Sequence, residues 1–402
     1  MIRTALVAAL LVTAVPAYAD AHADAPVAIA AGEGAQERLQ EALILAEPGD
    51  TIVLGAGRFA LTDGLSLDVD GVTVKGAGMG ATVLDFTAQE GSGEGLLITS
   101  DNVTLRDFAV ENAKGDGIKS KGADNIIYYA LRVEWTGGPK ASNGAYGIYP
   151  VESTNILVQD SYVRGASDAG IYVGQSENII VRRNRVVENV AGIEIENSNR
   201  AEVIENLATK NTGGILVFDL PGLPKVGGGD VLVAKNAVID NNTDNFAPEG
   251  NIVASVPAGT GVMVMANKGV YIHDNALVNN ATSHVMLIAY TQDFSDARYE
   301  PRPVNVAVKG NIYGTGGNAP DFEGGELMAA AMGGQLPPVL VDGLQEGFSN
   351  EDAVPVVSLG LSEIGQPFTQ AKPKLLEMPA PIVGPVAPQP VSLPAEMLAR
   401  LK

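Results

Sequence analysis

The sequence predicts an all-β fold, a right-handed parallel β-helix built as a three-sheet solenoid with about 22 residues per coil. Three observations predict it. A Gly-Ile strand motif recurs as Gly147-Ile148-Tyr149-Pro150-Val151, Gly170-Ile171-Tyr172-Val173-Gly174, Gly192-Ile193-Glu194-Ile195-Glu196 and Gly214-Ile215-Leu216-Val217-Phe218, with its isoleucines 23, 22 and 22 residues apart. A second track, Asn125-Ile126-Ile127, Asn155-Ile156-Leu157 and Asn178-Ile179-Ile180, follows seven or eight residues behind each Gly-Ile. A third carries Asn184, Asn206, Asn236, Asn275 and Asn311, each near a short apolar strand such as Arg185-Val186-Val187.

These segments alternate with period two and are dense in Ile and Val, so they are strands and not helices. A single coil leaves its strand edges unpaired and satisfies them by stacking on the next. Asparagines repeated at one corner suit a ladder, in which side-chain amides bond each other and the backbone from coil to coil.

The elements follow in order. Met1-Ile2-Arg3, an apolar run from Ala5 to Val15, and Ala17-Tyr18-Ala19 have the layout of a secretory signal peptide over residues 1–19. The run is too short to span a bilayer, and no later stretch is long enough either. The mature protein is therefore expected in the periplasm or outside the cell. Residues 20–35 read as a linker. Gln36 to Ala46 reads as an amphipathic helix with Leu39, Leu43 and Ala46 on one face, placed to cap the open end of the solenoid. Strands follow at Thr51–Leu54, Leu65–Leu67, Val72–Val74, Val83–Asp85, Leu96–Ile98 and Val103–Leu105. The β-helix domain spans 36–316. Residues 317–402 read as an irregular tail, with nine prolines between 355 and 394, extended and lying over the last coil.

Composition excludes several classes. There is no cysteine, so stability rests on core burial and not on disulfides. Lys+Arg is 26 against Asp+Glu 47, a net charge of −21, which excludes nucleic acid as a partner. The same charge repels a polyanionic glycan unless metal ions or a local basic patch offset it. With three histidines in the chain, a His-based zinc site is not expected. No Ser–His nucleophile motif or phosphate-binding loop is present, and the glycines of Lys75-Gly76-Ala77-Gly78-Met79-Gly80 lie between strands.

Three insertions break the repeat. One lies near Trp135-Thr136-Gly137-Gly138-Pro139, where Ile118 and Ile148 are 30 residues apart. Two lie between Ile215 and Val262, which are 47 apart: Asp219 to Gly229, and Asn242 to Thr260. All three border the Gly-Ile sheet, and loops at both edges of one sheet wall a groove. Strand alternation points Tyr149, Tyr172, Glu194, Leu216 and Met263 outward in one column. Val151, Gly174, Glu196, Phe218 and Met265 form a second, and Glu152, Gln175, Asn197 and Asp219 follow at the strand ends.

Aromatic rings beside carboxylates suit a sugar polymer: rings lie on the apolar faces of sugars and carboxylates accept from hydroxyls. Glu194 and Glu196 are the candidate catalytic acid/base pair, since closely spaced carboxylates split their pKa values. Tyr149, Tyr172, Glu152, Gln175, Asn197, Asp219 and Trp135 are the candidate substrate-binding residues. The alternative is a solvated strand face with stacked tyrosines. No metal ligands are identified. Calcium is the one ion that Asp168, Glu152 and Asp219 could gather, although neither an EF-hand nor a glycine-rich nonapeptide repeat is present.

The opening Ala46-Glu47-Pro48-Gly49-Asp50-Thr51-Ile52-Val53-Leu54, then Phe59, then Gly71-Val72-Thr73-Val74-Lys75-Gly76, resembles the first coils of the pectin-lyase-like superfamily. The central repeats resemble carbohydrate-binding and sugar-hydrolysing β-helices, including periplasmic mannuronan C5-epimerases. Residues 144–265 are similar to an uncharacterised family of exported bacterial β-helix-repeat proteins, through Gly144–Val151, Ala169–Ser176 and Gly213–Pro221. The resemblance covers residues 36–316 and implies the fold and a polysaccharide or oligosaccharide partner. It carries over no catalytic residue, because the epimerase Asp-Pro-His-Asp signature and the paired aspartates with Gly-His-Gly of polygalacturonases are absent. The expectation is an exported carbohydrate-directed protein, either a lyase, epimerase or glycoside hydrolase, or a non-catalytic glycan-binding, envelope-scaffold or accessory protein.

Overall fold

The computed structural model describes residues 27–91, 93–366, 370–376 and 387–402. The expected signal peptide and the Pro379-Ala380-Pro381 run lie outside the described residues. Three sheets of 12, 12 and 10 strands stack along one axis, and the chain visits them in turn, coil after coil. Among the described residues no helix is long and apolar enough to cross a membrane.

The Gly-Ile strands pair in parallel, in the register the repeats dictate: Ile148 opposite Ile171, Ile171 opposite Ile193, Ile193 opposite Ile215, Ile215 opposite Val262, and Val262 opposite Val285. All six side chains are fully buried in the inner core. The glycines have a packing reason. A Cβ on Gly170 would lie 2.8 Å from the Gly192 carbonyl oxygen, and one on Gly192 would lie 2.5 Å from that of Gly214. Only a bare backbone lets successive coils approach so closely there.

The expected asparagine ladder runs Asn184, Asn206, Asn236, Asn275 and Asn311, each amide donating to the next carbonyl at 3.0–3.1 Å. A second buried ladder, Asn189, Asn211, Asn241 and Asn280, turns the next corner. Asn125, Asn155 and Asn178 form a third at the surface, where each adopts a left-handed φ of 56–61° that asparagine tolerates.

The N-terminal helix spans Ala35–Leu45, with Ala35, Leu39 and Leu43 buried on the first coil; Ala46 lies just past its end. Part of the expected linker is ordered, since Val27–Ile29 pairs in parallel with the Thr51–Leu54 strand. The stack also continues past residue 316. Val339–Val341 and Val356–Ser358 extend the Gly-Ile sheet, and Lys374–Leu376 adds antiparallel to its end. These segments lack the Gly-Ile and Asn markers, so periodicity alone missed them. Residues 387–402 end in a short helix, Ala395–Ala399. Leu393 and Met397 pack on Ile127, Leu157 and Ile180 of the second sheet, so this segment lies over the middle coils and not over the last one.

Candidate functional site

The outer face of the Gly-Ile sheet is a covered surface. A second apolar cluster sits on it, separate from the solenoid interior, including Tyr172, Leu216, Phe218, Met263, Met265 and Met286 from the strands. Val253, Val256, Tyr290, Tyr299 and Leu336 come down from loops. Two of those loops, residues 219–228 and 240–259, are insertions visible in the sequence. Two more, residues 289–303 and 314–338, complete the cover.

The outward columns hold: Tyr172 pairs with Glu194, Glu194 with Leu216 and Leu216 with Met263, while Gly174, Glu196, Phe218 and Met265 align beside them. The face divides into a polar half and an apolar half. In the polar half, Tyr146, Tyr149 and Tyr172 pack ring to ring with centroids 4.5–4.9 Å apart. The Tyr172 ring lies over Gly174, where an added Cβ would meet ring carbon Cε1 at 2.5 Å and the hydroxyl at 2.6 Å. That bare position lets the Tyr172 hydroxyl reach the next coil and donate to Glu196 Oε1 at 2.6 Å.

Three carboxylates gather beside the rings. Asp168, Glu194 and Glu196 are 5%, 1% and 6% exposed, so all are withdrawn from water. Burial raises the Glu194 pKa well above its usual range, and the charges of Asp168 and Glu196 raise it further. Burial also raises Glu196, against the stabilising Tyr172 hydrogen bond. Burial and the Glu196 charge raise Asp168, opposed by the Asn251 amide, which donates to its Oδ2 at 3.1 Å. Among the described residues, neither Glu194 oxygen has a hydrogen-bond partner. An ionised carboxylate in that position is strongly disfavoured unless a positive charge or hydrogen-bond donors reach it. The tyrosines are raised as well, by burial first, with Tyr149 at about 12.

One coil towards the N-terminus, Lys119 stands in the same column, opposite Tyr149. Its Nζ lies 4.8 Å above the Tyr149 ring, 3.0 Å from Glu94 and 3.4 Å from Asp116. In the apolar half, Met263, Met286, Ile288, Leu340, Leu359 and Phe322 line a cavity of about 320 Å³ between sheet and loops.

The structure separates the expected site residues. It brings together Glu194, Glu196, Tyr149 and Tyr172. Glu152, Gln175 and Asn197 are corner residues with φ of 55°, 51° and 44°, not groove-lining positions, because the chain turns there in the left-handed region. Glu152 is exposed and faces Lys121 at 3.7 Å. Gln175 is half-buried at the foot of the 219–228 loop. Asn197 is buried and clamps that loop, accepting from the Leu220 amide and donating to the Leu220 and Lys225 carbonyls. Asp219 is buried too, held by the Gly228 amide and Asn267. Burial pushes its pKa up to about 7, against those two hydrogen bonds.

Trp135 belongs to the inner core and donates Nε1–H to the Ala113 carbonyl at 2.7 Å, so it is no groove wall. Among the described residues, no group of three or more His, Asp or Glu side chains is arranged to hold a metal ion. Glu152, Asp168 and Asp219 thus do not assemble a calcium site. Tyr146 and Asn251 were missed; Tyr146 directly precedes a Gly-Ile pair, a position that could have signalled it.

Residues 70–222 match the family model described as right handed beta helix region. No curated protein matches the chain. Solved structures similar to it include the A-module of the mannuronan C-5 epimerase AlgE4 from Azotobacter vinelandii, at 16% identity and TM-score 0.48, over 79% of this chain and 90% of that one. An alginate lyase from Paenibacillus sp. is 19% identical with TM-score 0.41, over 72% and 97% of the two chains. The catalytic unit of a GH87 alpha-1,3-glucanase from Streptomyces thermodiastaticus is 13% identical with TM-score 0.47, over 81% and 52%. With three sheets visited in rotation, in-register isoleucine stacks and asparagine ladders at its corners, the chain folds as a right-handed parallel β-helix.

Proposed function

We propose that this is an exported, carbohydrate-directed protein that engages a sugar at the tyrosine–carboxylate half of the Gly-Ile face. The observation that carries this reading is Glu194, enclosed on a sheet surface with neither oxygen partnered among the described residues. Buried polar groups in folded proteins are bonded, and the exceptions concentrate where a ligand supplies the missing partner or where chemistry is done. Glu194 in its protonated form is the candidate proton donor. Glu196, two residues along the strand and roughly 6.6 Å away by Cα spacing, is the candidate base or nucleophile, with its orientation set by Tyr172. Tyr149 and Tyr146 offer ring faces to a sugar. Such a pair serves hydrolysis most directly.

A non-catalytic glycan-binding protein is the second reading. It is favoured by the cover itself: Asn251 ties its loop to Asp168, and an apolar layer surrounds the carboxylates.

The test is purified mature protein against acidic and neutral polysaccharides, following unsaturated products, reducing ends and binding in parallel. Turnover lost in Glu194→Gln establishes an enzyme with its acid on this face. Binding without turnover selects the second reading. Neither binding nor turnover with any glycan overturns the carbohydrate role.

A further inference from the structure

We infer that the tyrosine–carboxylate cluster is a site for an ammonium group, carried by an amino sugar and not by a neutral or uronate unit. This deepens the carbohydrate reading and rests on it. The protein contains its own precedent. On the same column, Lys119 places an ammonium over the Tyr149 ring and between two carboxylates, Glu94 and Asp116. Further along the stack the same chemistry recurs without the cation. Tyr172 and Tyr146 pack against Tyr149, and Asp168, Glu194 and Glu196 stand beside them. Among the described residues, no Lys or Arg pairs with any of these three carboxylates.

A carboxylate group this far from water is stabilised by an opposite charge, by hydrogen-bond donors, or by its own protons. Asn251 and Tyr172 supply donors to Asp168 and Glu196; among the described residues Glu194 is left with none. An ammonium supplies both positive charge and donors, and the tyrosine faces attract it as they attract Lys119. A uronate would bring another negative charge to a place holding three carboxylates already, which like-charge repulsion opposes. Asn251, on the loop of residues 240–259, donates to Asp168, so a ligand that takes Asp168 as its partner displaces that contact.

The test uses the full mature chain and calorimetric titration at neutral pH with three oligosaccharides of equal length: glucosamine units, N-acetylglucosamine units and galacturonate units. Each titration is repeated at high salt, which screens the overall acidity of the protein. The expected result is binding of the glucosamine oligomer about tenfold tighter than the acetylated one, retained in salt and abolished in both Glu194→Gln and Glu196→Gln. Each variant is checked for the wild-type circular dichroism spectrum. Both replace a carboxylate with an amide of the same shape, and each changes the net charge by only one unit.

A preference that survives in both variants comes from diffuse charge and overturns the inference. Equal affinity for the acetylated oligomer, or tighter binding of the uronate, overturns it while leaving the carbohydrate reading in place. Silence towards all three overturns both.

Discussion

The asparagine ladder and the carboxylate cluster are both rows of buried polar side chains stacked along the same solenoid, and they are opposites. In the ladder, Asn206 donates to Asn236 and to the Val181 carbonyl, and its own carbonyl accepts from the Asn184 amide and side chain. Its polar capacity is used within the stack. In the cluster, Glu194 is as deeply buried and, among the described residues, uses none. The ladder shows that this fold can satisfy a polar row completely when the row serves stability. The cluster is an exception of the kind expected where a protein keeps binding or reactive capacity in reserve.

The largest predicted effect breaks the ladder. Asn206→Ala leaves the Asn184 and Asn236 amide groups and the Val181 carbonyl short of partners in a dry corner. At roughly 1–3 kcal/mol for each of these three groups, the expected loss is at least about 3 kcal/mol, read from the midpoint of denaturant unfolding. A loss below about 0.5 kcal/mol would mean that water or relaxation replaces the amide, and the contrast would fail.

Next comes Gly174→Ala. The methyl would collide with the Tyr172 ring, so the ring must leave and the Tyr172–Glu196 hydrogen bond is lost. Overpacking of this kind costs about 1–3 kcal/mol. Tyrosine fluorescence and near-ultraviolet circular dichroism should change as well, and sugar binding should weaken.

A third prediction sharpens the cluster side through pH. Folded-state pKa values raised by burial mean that the folded protein binds protons more tightly than the unfolded chain. The stabilising contribution is therefore fully present below the unfolded carboxylate pKa of about 4. It is lost as pH rises through the folded value, about 7 for Asp219 and higher than usual for Glu194. The melting temperature of the wild type should fall between pH 5 and pH 8. Glu194→Gln should melt higher than wild type at pH 8 and no higher at pH 4, because it removes the buried charge only where that charge exists. A flat pH profile, identical in both proteins, would remove the buried carboxylate from the account.

The smallest effect is expected at Glu152. It is exposed, at a corner, and 3.7 Å from Lys121. Glu152→Gln should change stability by less than about 0.5 kcal/mol and leave glycan binding untouched in the same titrations. A clear loss of binding would return the strand ends to the site.

Much of this was legible in the sequence. The spacing of Ile148, Ile171, Ile193 and Ile215 determined the coil length and the register. A parallel stack pairs equivalent residues, and a slip by one would turn every core isoleucine outward. Alternation then placed Tyr172, Glu194 and Glu196 on one outer face, and the insertions marked which sheet was walled. Tertiary structure alone decided whether that face was open or covered. Loops such as 240–259 and 289–303 have no periodicity from which their path could be read, so their descent onto the sheet, and with it the burial of Glu194, was invisible. It also decided the fate of the strand ends. Glu152, Gln175 and Asn197 look like continuations of a strand in one dimension. Their left-handed φ, imposed by the need to turn each corner of the coil, takes them out of the outward columns. Trp135 looked like a loop aromatic until the inner core closed around it. Register is a local, repeated decision that each coil makes against its neighbour. Cover and burial arise from segments far apart in the chain meeting once, and no repeat records that meeting.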